Sequence, residues 1–391
     1  MAIPPLEVRH QPSGLNSRFN GDRLGFSEYV ARNRGMLRMA HAGSADLDKR
    51  IDGNAPFELR PPPGFAAGKQ KKYLRGVLLT HGLSDSPYSV RHLAAFFQQN
   101  GFRVLAVLLP GHGTQPGDLL DVTWREWAKT VAYGAYALAE DVDELYLAGY
   151  SAGATLSIYH SLRDFRVRGL FLFSPAIKVA RRAAFANLHK LYSWLMPKAK
   201  WLDINPDLDI YKYESITKNA VAQTYALIRE LDAQLRQHAM DIPVFAAASM
   251  DDATVNAESI VEFMSRARHP LSKLVLYSTE PGKFSSRFPA EKFELVNSII
   301  PAQRILSSAH TAIVMSPDDE HYGERGDYSN CIHYYPDDME KYQACLKNPD
   351  QDLQGEVTER NLEAGILRRL MYNPNFAALK VSMQQFLDRL Q

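Results

Sequence analysis

The sequence predicts an α/β fold, a mostly parallel sheet with helices on both faces and a helical cap inserted late in the core. Three observations carry that expectation. Apolar runs without polar alternation, such as Val77-Leu78-Leu79, Val104–Leu109 and Leu145–Leu147, recur between helix-period segments, as parallel strands buried on both faces require. The stretch Gly149-Tyr150-Ser151-Ala152-Gly153 falls where one such run ends and the helix-compatible Ala154–Tyr159 begins. The third is size: 391 residues bury a full core and are long for one simple domain, so one large α/β unit with insertions fits best.

Taken in order, residues 1–60 read as irregular and polar apart from a helical stretch around Phe26–Ala42. The run Pro61-Pro62-Pro63-Gly64 forbids regular helix and marks a boundary. A short buried strand, Leu74–Thr80, leads into His81-Gly82-Leu83-Ser84, and Pro87-Tyr88 open a helix through Leu93 and Phe97 that Asn100-Gly101 close. Val104–Leu109 is the next strand, ending in Pro110-Gly111-His112-Gly113. A helix from Thr123 to Ala139 places Trp124, Trp127 and Val131 on one face, most simply as core.

After the glycine-flanked serine come the strands Val167–Ala176 and Ile242–Ala248. The segment between them is rich in Tyr, Trp, Leu and Met and reads as a cap, with Phe185, Leu188, Leu191, Tyr192, Trp194, Leu195, Met196 and Trp201 as its apolar face. Leu274–Ser278 is a further strand, and residues 279–304 an insertion behind it. The polar stretch 316–360 follows, and an amphipathic helix through Val381, Met383, Phe386, Leu387 and Leu390 closes the chain on the sheet.

Charge excludes one class of partner. With 45 basic and 44 acidic side chains and no long Lys/Arg block, nothing forms a nucleic-acid footprint. No apolar stretch approaches the ~20 residues that span a bilayer. The first ten residues lack a basic start followed by an apolar core, so no leader is visible. A cytoplasmic protein is expected if that start is native, a periplasmic or secreted one if a leader has been removed. Cys331 and Cys345 are read either as free thiols or as one local disulfide. Their spacing lacks the paired pattern of a zinc site.

The chemistry follows from the turn at Ser151. A serine on a tight strand-to-helix turn needs very small neighbours two residues away on either side, and the helix behind it aims its amino end at an oxygen that becomes negative during acyl transfer. Ala152 N–H is one donor for that oxyanion; Leu83 N–H, in the loop after an earlier strand, is the candidate for the second. His81 is expected to brace that loop rather than act as a base, and His112 to be a structural hydrogen-bonder.

An acid then has to follow the serine, and a histidine the acid. Ser249-Met250-Asp251-Asp252 ends a late strand, and Asp252 is preferred to Asp251 because the turn returns Val255 to the sheet. His310, among small residues in Ser308-Ala309-His310, is the expected base, with His321 in reserve.

On these residues the chain resembles the α/β-hydrolase superfamily, and within it the bacterial carboxylesterases and monoacylglycerol lipases. The likeness rests on His81-Gly82-Leu83 with Ser86-Pro87, Pro110-Gly111-His112-Gly113 with Trp124 and Trp127, Gly149–Gly153, Asp252–Val255 and Ser308-Ala309-His310, over residues 73–315 and the last helix. It implies an α/β-hydrolase core over 73–176 and 241–315, a cap over 177–240, an N-terminal extension over 1–72, a polar insertion over 316–360 and a core helix within 361–391. The expected activity is a serine esterase acting on apolar acyl chains through Ser151, His310 and Asp252, with no metal or organic cofactor, on a small ester or lipid-like substrate. The same residues would cleave a thioester or amide, or pass the acyl group to an alcohol. A non-catalytic scaffold that binds a ligand or partner is the alternative of another class.

Overall fold

The computed structural model describes residues 4–19, 21–65, 67–178, 197–283, 292–347 and 352–390. Of the expected cap residues, Phe185, Leu188, Leu191, Tyr192, Trp194, Leu195 and Met196 lie outside them. The chain divides into two compact units, one of Ala2–Leu170 with Val179–His238, the other of Phe171–Lys178 with Ala239–Gln391.

In the first unit α1 (Phe26–Ala40) and α2 (Leu47–Asn54) precede the short strand β1 (Phe57–Leu59). The sequence reading missed α2 and β1. α2 is short and largely polar, and β1, only three residues long, gains its strand identity by pairing antiparallel with β3 (Phe102–Val107). Between them, β2 (Tyr73–Thr80) feeds a single 3-10 turn at Pro87–Val90 and then α3 (Arg91–Gln99). Gly101, with φ +83, then turns the chain into β3 in a conformation that glycine adopts without penalty. The helix α4 (Trp124–Asp141) buries Trp124, Trp127 and Val131, as the apolar stripe requires. It leads into β4 (Val142–Tyr150) and α5 (Ala152–Ser161). β2 pairs in parallel with both β3 and β4, so β2 is flanked on either side and its last five residues are buried.

β5 (Val167–Phe173) follows. The described part of the expected cap begins with the small ribbon β6 (Trp201–Asp203) and β7 (Ile216–Thr217), where Trp201 is buried. Its helix, α6 (Lys218–Leu235), is capped by the Thr217 hydroxyl, which accepts the Ala220 N–H at 3.1 Å.

In the second unit β8 (Val244–Ser249), α7 (Ala257–Arg266), β9 (Lys273–Ser278) and β10 (Phe293–Asn297) continue the strand order, β1-β3-β2-β4-β5-β8-β9-β10. β8 and β9 pair in parallel, and so do β9 and β10. The last pairing corrects the sequence reading of 279–304 as a plain insertion. β10 is an edge strand with Glu294 in it, its residues only half buried, so it lacks the apolar run that announces a buried strand. Glu294 lies 2.8 Å from Lys273 Nζ and accepts the Ser382 hydroxyl at 2.6 Å.

The polar stretch after residue 315 contains α8 (Met339–Lys347) and a parallel ribbon of β11 (Leu353–Gly355) and β12 (Leu367–Arg369), joined through α9 (Glu359–Glu363). A disulfide joins Cys331 and Cys345, inside a buried cluster with Tyr334 and Tyr342. The closing helix α10 (Phe376–Arg389) sets Phe386 edge-on to Phe171 and against Phe245, rings 5.3 and 5.6 Å apart, so it covers β5 and β8. Val381, expected on its inner face, is 57% exposed; Leu379, Met383, Phe386 and Leu387 form that face instead.

Candidate active site

Ser151 sits between β4 and α5 with φ 53 and ψ −119, a conformation that costs a side chain roughly 1–3 kcal/mol and persists only where its surroundings impose it. The surroundings are main chain. A Cβ on Gly153 would strike the carbonyl oxygens of Thr80 and His81 and lie 2.6 Å from the Thr80 carbonyl carbon, and one on Gly149 would lie 2.5 Å from the Ala154 nitrogen. The two glycines therefore let strand and helix meet closely enough to hold Ser151 in this turn. The N–H of Ala152 heads α5, where no preceding helix carbonyl accepts it.

The loop after β2 reaches the same turn: a Cβ on Gly82 would come within 3.2 Å of Ser151 Cβ. Two histidines fix this loop. His81 Nε2 accepts the Leu109 N–H at 3.0 Å, and its Nδ1–H donates to the Gly82 carbonyl at 2.8 Å. His112 Nε2 accepts the Ser84 N–H at 3.1 Å, and its Nδ1–H donates to the Pro110 carbonyl at 3.1 Å. Because each Nε2 accepts from a backbone N–H, each ring is neutral with its proton on Nδ1. From the other side the Tyr213 N–H donates to the Ser84 carbonyl at 2.8 Å, and Lys212 Nζ lies 2.8 Å from Asp85 Oδ1. The N–H of Leu83 meets no backbone acceptor among the described residues.

Burial pushes His81 down to about 4, against its bond to the Gly82 carbonyl. Burial, helped by the His81 ring, pushes His112 down to about 3. In the unfolded chain both would protonate near pH 6.5, so between that pH and about 4 the unfolded state binds more protons than the folded one. The contribution of these two rings to stability is therefore present above about pH 6.5 and falls as the pH drops below it. The urea midpoint is expected to drop between pH 7.5 and pH 5 by the equivalent of about 4 kcal/mol, about 2 from each ring. A midpoint that holds level over that range would contradict the neutral pair.

In the second unit the acid and base expected from the sequence meet. His310 opens a 3-10 turn, His310–Ala312, and its Nδ1–H donates to Asp252 Oδ2 at 2.6 Å. The other oxygen of Asp252 accepts the N–H groups of Thr254 and Val255 at 2.7 and 2.9 Å. Burial alone would raise this carboxyl; the His310 ring and the two N–H groups outweigh it and hold the carboxyl below the usual range.

Asp251 points elsewhere. It accepts the Thr279 N–H and hydroxyl and the Ser298 hydroxyl, tying the ends of β9 and β10 together, and burial raises its carboxyl. His321 is buried, paired with Asp327 and stacked on Tyr328 with ring centres 5.3 Å apart. One contact had no sequence signal. The N–H of His310 donates at 2.9 Å to Glu356 Oε2, from a carboxylate with no exposed surface in the stretch read only as polar. Among the described residues no group of three or more His, Cys, Asp or Glu is placed to hold a metal ion, and no helix is long and apolar enough to cross a membrane.

The family model described as serine aminopeptidase, S33, matches residues 72–279, from the start of β2 to just past β9. The chain belongs to that family. An S33 chain is an α/β hydrolase and a serine hydrolase, in keeping with the parallel strand order and the Ser151 turn. Among similar proteins of this S33 chain is the thermostable monoacylglycerol lipase of Bacillus sp. (strain H-257), 27% identical over 203 residues, which are 51% of this chain and 80% of the relative. A carboxylesterase of Bacillus subtilis (strain 168) is 29% identical over 85 residues, 22% of this chain and 35% of that one. Similar solved structures include one described with the metagenome-derived lipolytic enzymes LipS and LipT, at TM-score 0.48 and 21% identity over 57% of this chain and 87% of that one. The Paleococcus ferrophilus monoacylglycerol lipase is similar at TM-score 0.44 and 18% identity, over 57% and 88%.

Proposed function

We propose that the protein is a carboxylic-ester hydrolase of the lipase and esterase type, working through Ser151, His310 and Asp252 on esters of apolar acyl chains. The observation that carries this reading is the 2.6 Å bond from His310 Nδ1–H to Asp252, on a chain where the acid follows the serine and the histidine follows the acid. With Nδ1–H committed to Asp252, the His310 Nε2 lone pair is the acceptor that a serine proton needs.

Ser151 Oγ attacks the ester carbonyl carbon as its proton passes to His310 Nε2. The carbonyl oxygen takes the negative charge against the N–H groups of Leu83 and Ala152. The tetrahedral species collapses, the C–O bond to the alcohol breaks, and His310 gives that alcohol its proton. Water then enters by the same route and releases the acid, restoring Ser151. The monoacylglycerol lipase among the relatives supports a lipid-like ester, and the Tyr, Trp and Leu content of 177–240 supports an apolar acyl site under a cap.

p-Nitrophenyl esters of graded acyl length, set beside the matching acyl-CoA thioesters, test the substrate class. For the oxoesters kcat/KM is expected to climb about threefold per added methylene until the acyl site is full. A strong preference for the thioesters, or hydrolysis of aminoacyl amides above either, would replace the ester reading.

A further inference from the structure

The loop that carries His310 rests on the β11–β12 ribbon from end to end. Leu306 N–H donates to the Gln354 carbonyl at 2.8 Å, and Gln354 N–H to the Arg304 carbonyl at 3.0 Å. Ser307 Oγ accepts the Glu356 N–H and an Asn361 amide N–H, each at 3.0 Å. The Thr311 hydroxyl donates to the Leu370 carbonyl at 2.8 Å. Between these ties sits Glu356. Its Oε2 takes the His310 N–H at 2.9 Å, a donor with no carbonyl of its own turn to meet, and its Oε1 takes the Val357 N–H at 2.8 Å.

A carboxylate with no exposed surface costs several kcal/mol in lost hydration unless a cation answers it. Arg369 does so, with Nε 2.9 Å from Oε1 and Nη2 donating to Oε2 at 3.1 Å. The same Nη2 donates to Thr254 Oγ1 at 2.7 Å, and the N–H of Thr254 is one of the two that hold Asp252. One guanidinium therefore joins the backbone of His310, through Glu356, to the turn that aims Asp252. An apolar residue at 356 would fill the space but would leave the His310 N–H without an acceptor.

We propose that Glu356 and Arg369 are positioning residues of the acid–base pair, their ion pair holding the His310 ring and the Asp252 carboxylate in one register. The proposal rests on the reading of His310 as the base. Misplacing that ring by about 1 Å costs on the order of 100-fold in rate without changing how substrate is held.

The test takes Glu356→Ala, Glu356→Gln, Arg369→Lys and Thr254→Val in the full chain. It measures kcat and KM on the best p-nitrophenyl ester, the rate at which a fluorophosphonate labels Ser151, and the thermal midpoint. Glu356→Ala is expected to slow turnover and labelling about 100-fold with KM within about twofold. Glu356→Gln, which keeps an oxygen for the His310 N–H, should regain about tenfold of that loss, a rescue that simple loosening would not produce. Arg369→Lys and Thr254→Val should each lose about three- to tenfold at a midpoint near that of the parent, and they carry the test if Glu356→Ala does not fold.

Turnover and labelling within about twofold of the parent in both Arg369→Lys and Thr254→Val would overturn the proposal, as would losses that follow the thermal midpoint alone. Labelling reads the activated serine whatever ester it serves. A chain that labels but hydrolyses no ester, with labelling slowed in these variants, would refute the ester reading and still support the positioning role.

Discussion

Alanine at Ser151 is expected to lower ester hydrolysis by about 10⁵-fold or more and to leave the thermal midpoint nearly unchanged, because it removes the attacking oxygen and little packing. Asn at Asp252 is expected to cost about 10⁴-fold. Asn presents one oxygen and one NH₂ where the carboxylate now accepts from His310 Nδ1–H on one side and two backbone N–H groups on the other. If the amide oxygen stays on the backbone groups, its NH₂ faces Nδ1, and the ring must move its proton to Nε2, the atom that has to accept from serine. Asn at the neighbouring Asp251 breaks ties to Thr279 and Ser298 instead, so it should lower stability by about 1–3 kcal/mol and leave most of kcat. Steady-state kinetics on the three purified variants decides the matter. Turnover surviving Ser151→Ala would end the proposed mechanism, and loss through Asp251 rather than Asp252 would move the acid by one residue.

The second large effect is on folding. Gly153→Ala adds a methyl group that has to displace the Thr80 and His81 carbonyls, which belong to the end of a central strand and the start of the loop that follows it. Backbone at that position cannot yield as a flexible side chain would, so the cost is expected to exceed about 4 kcal/mol, enough to leave little folded protein. Gly25→Ala, whose added Cβ meets nothing within 4 Å, is the matched control and should express as the parent does. Recovery of folded Gly153→Ala with an unshifted thermal midpoint would show that the strand and helix approach less closely than described.

How much of this the sequence reveals depends on how local each requirement is. The Ser151 turn is legible because its demand for two glycines is met within five residues, and the strands before and after it are apolar throughout. Trp124, Trp127 and Val131 are legible because helical spacing alone brings them onto one face. β10 is not legible, since an edge strand with Glu294 facing Lys273 lacks the apolar run that marks its neighbours. With β10 in the sheet, the long interval between β9 and His310 contains the last strand rather than a departure from the pattern.

Glu356 is the hardest case. A lone glutamate in a polar stretch reads as solvated, and only the return of Arg369 from the far side of α9 makes its burial tolerable. The cysteines illustrate the same limit: spacing left thiols and disulfide both open, and the buried surroundings of Cys331 and Cys345 bring the two sulfurs together.

The parallel ribbon has a consequence for anyone who shortens or grafts this chain. Insertions beyond a conserved-length core are commonly treated as removable, because a surface loop tolerates changes of length at small entropic cost. Here a trimmed version ending at residue 315, or one spliced from 315 straight to α10, would delete the acceptor of the His310 N–H while leaving Ser151, Asp252 and His310 all in the sequence. If Glu356 positions His310 as proposed, such a minimal chain would keep all three proposed catalytic residues and still be expected to be a poor catalyst. On the proposed role of Glu356, any cut has to spare the span from Leu353 to Leu370, which carries the ties to the His310 loop described above.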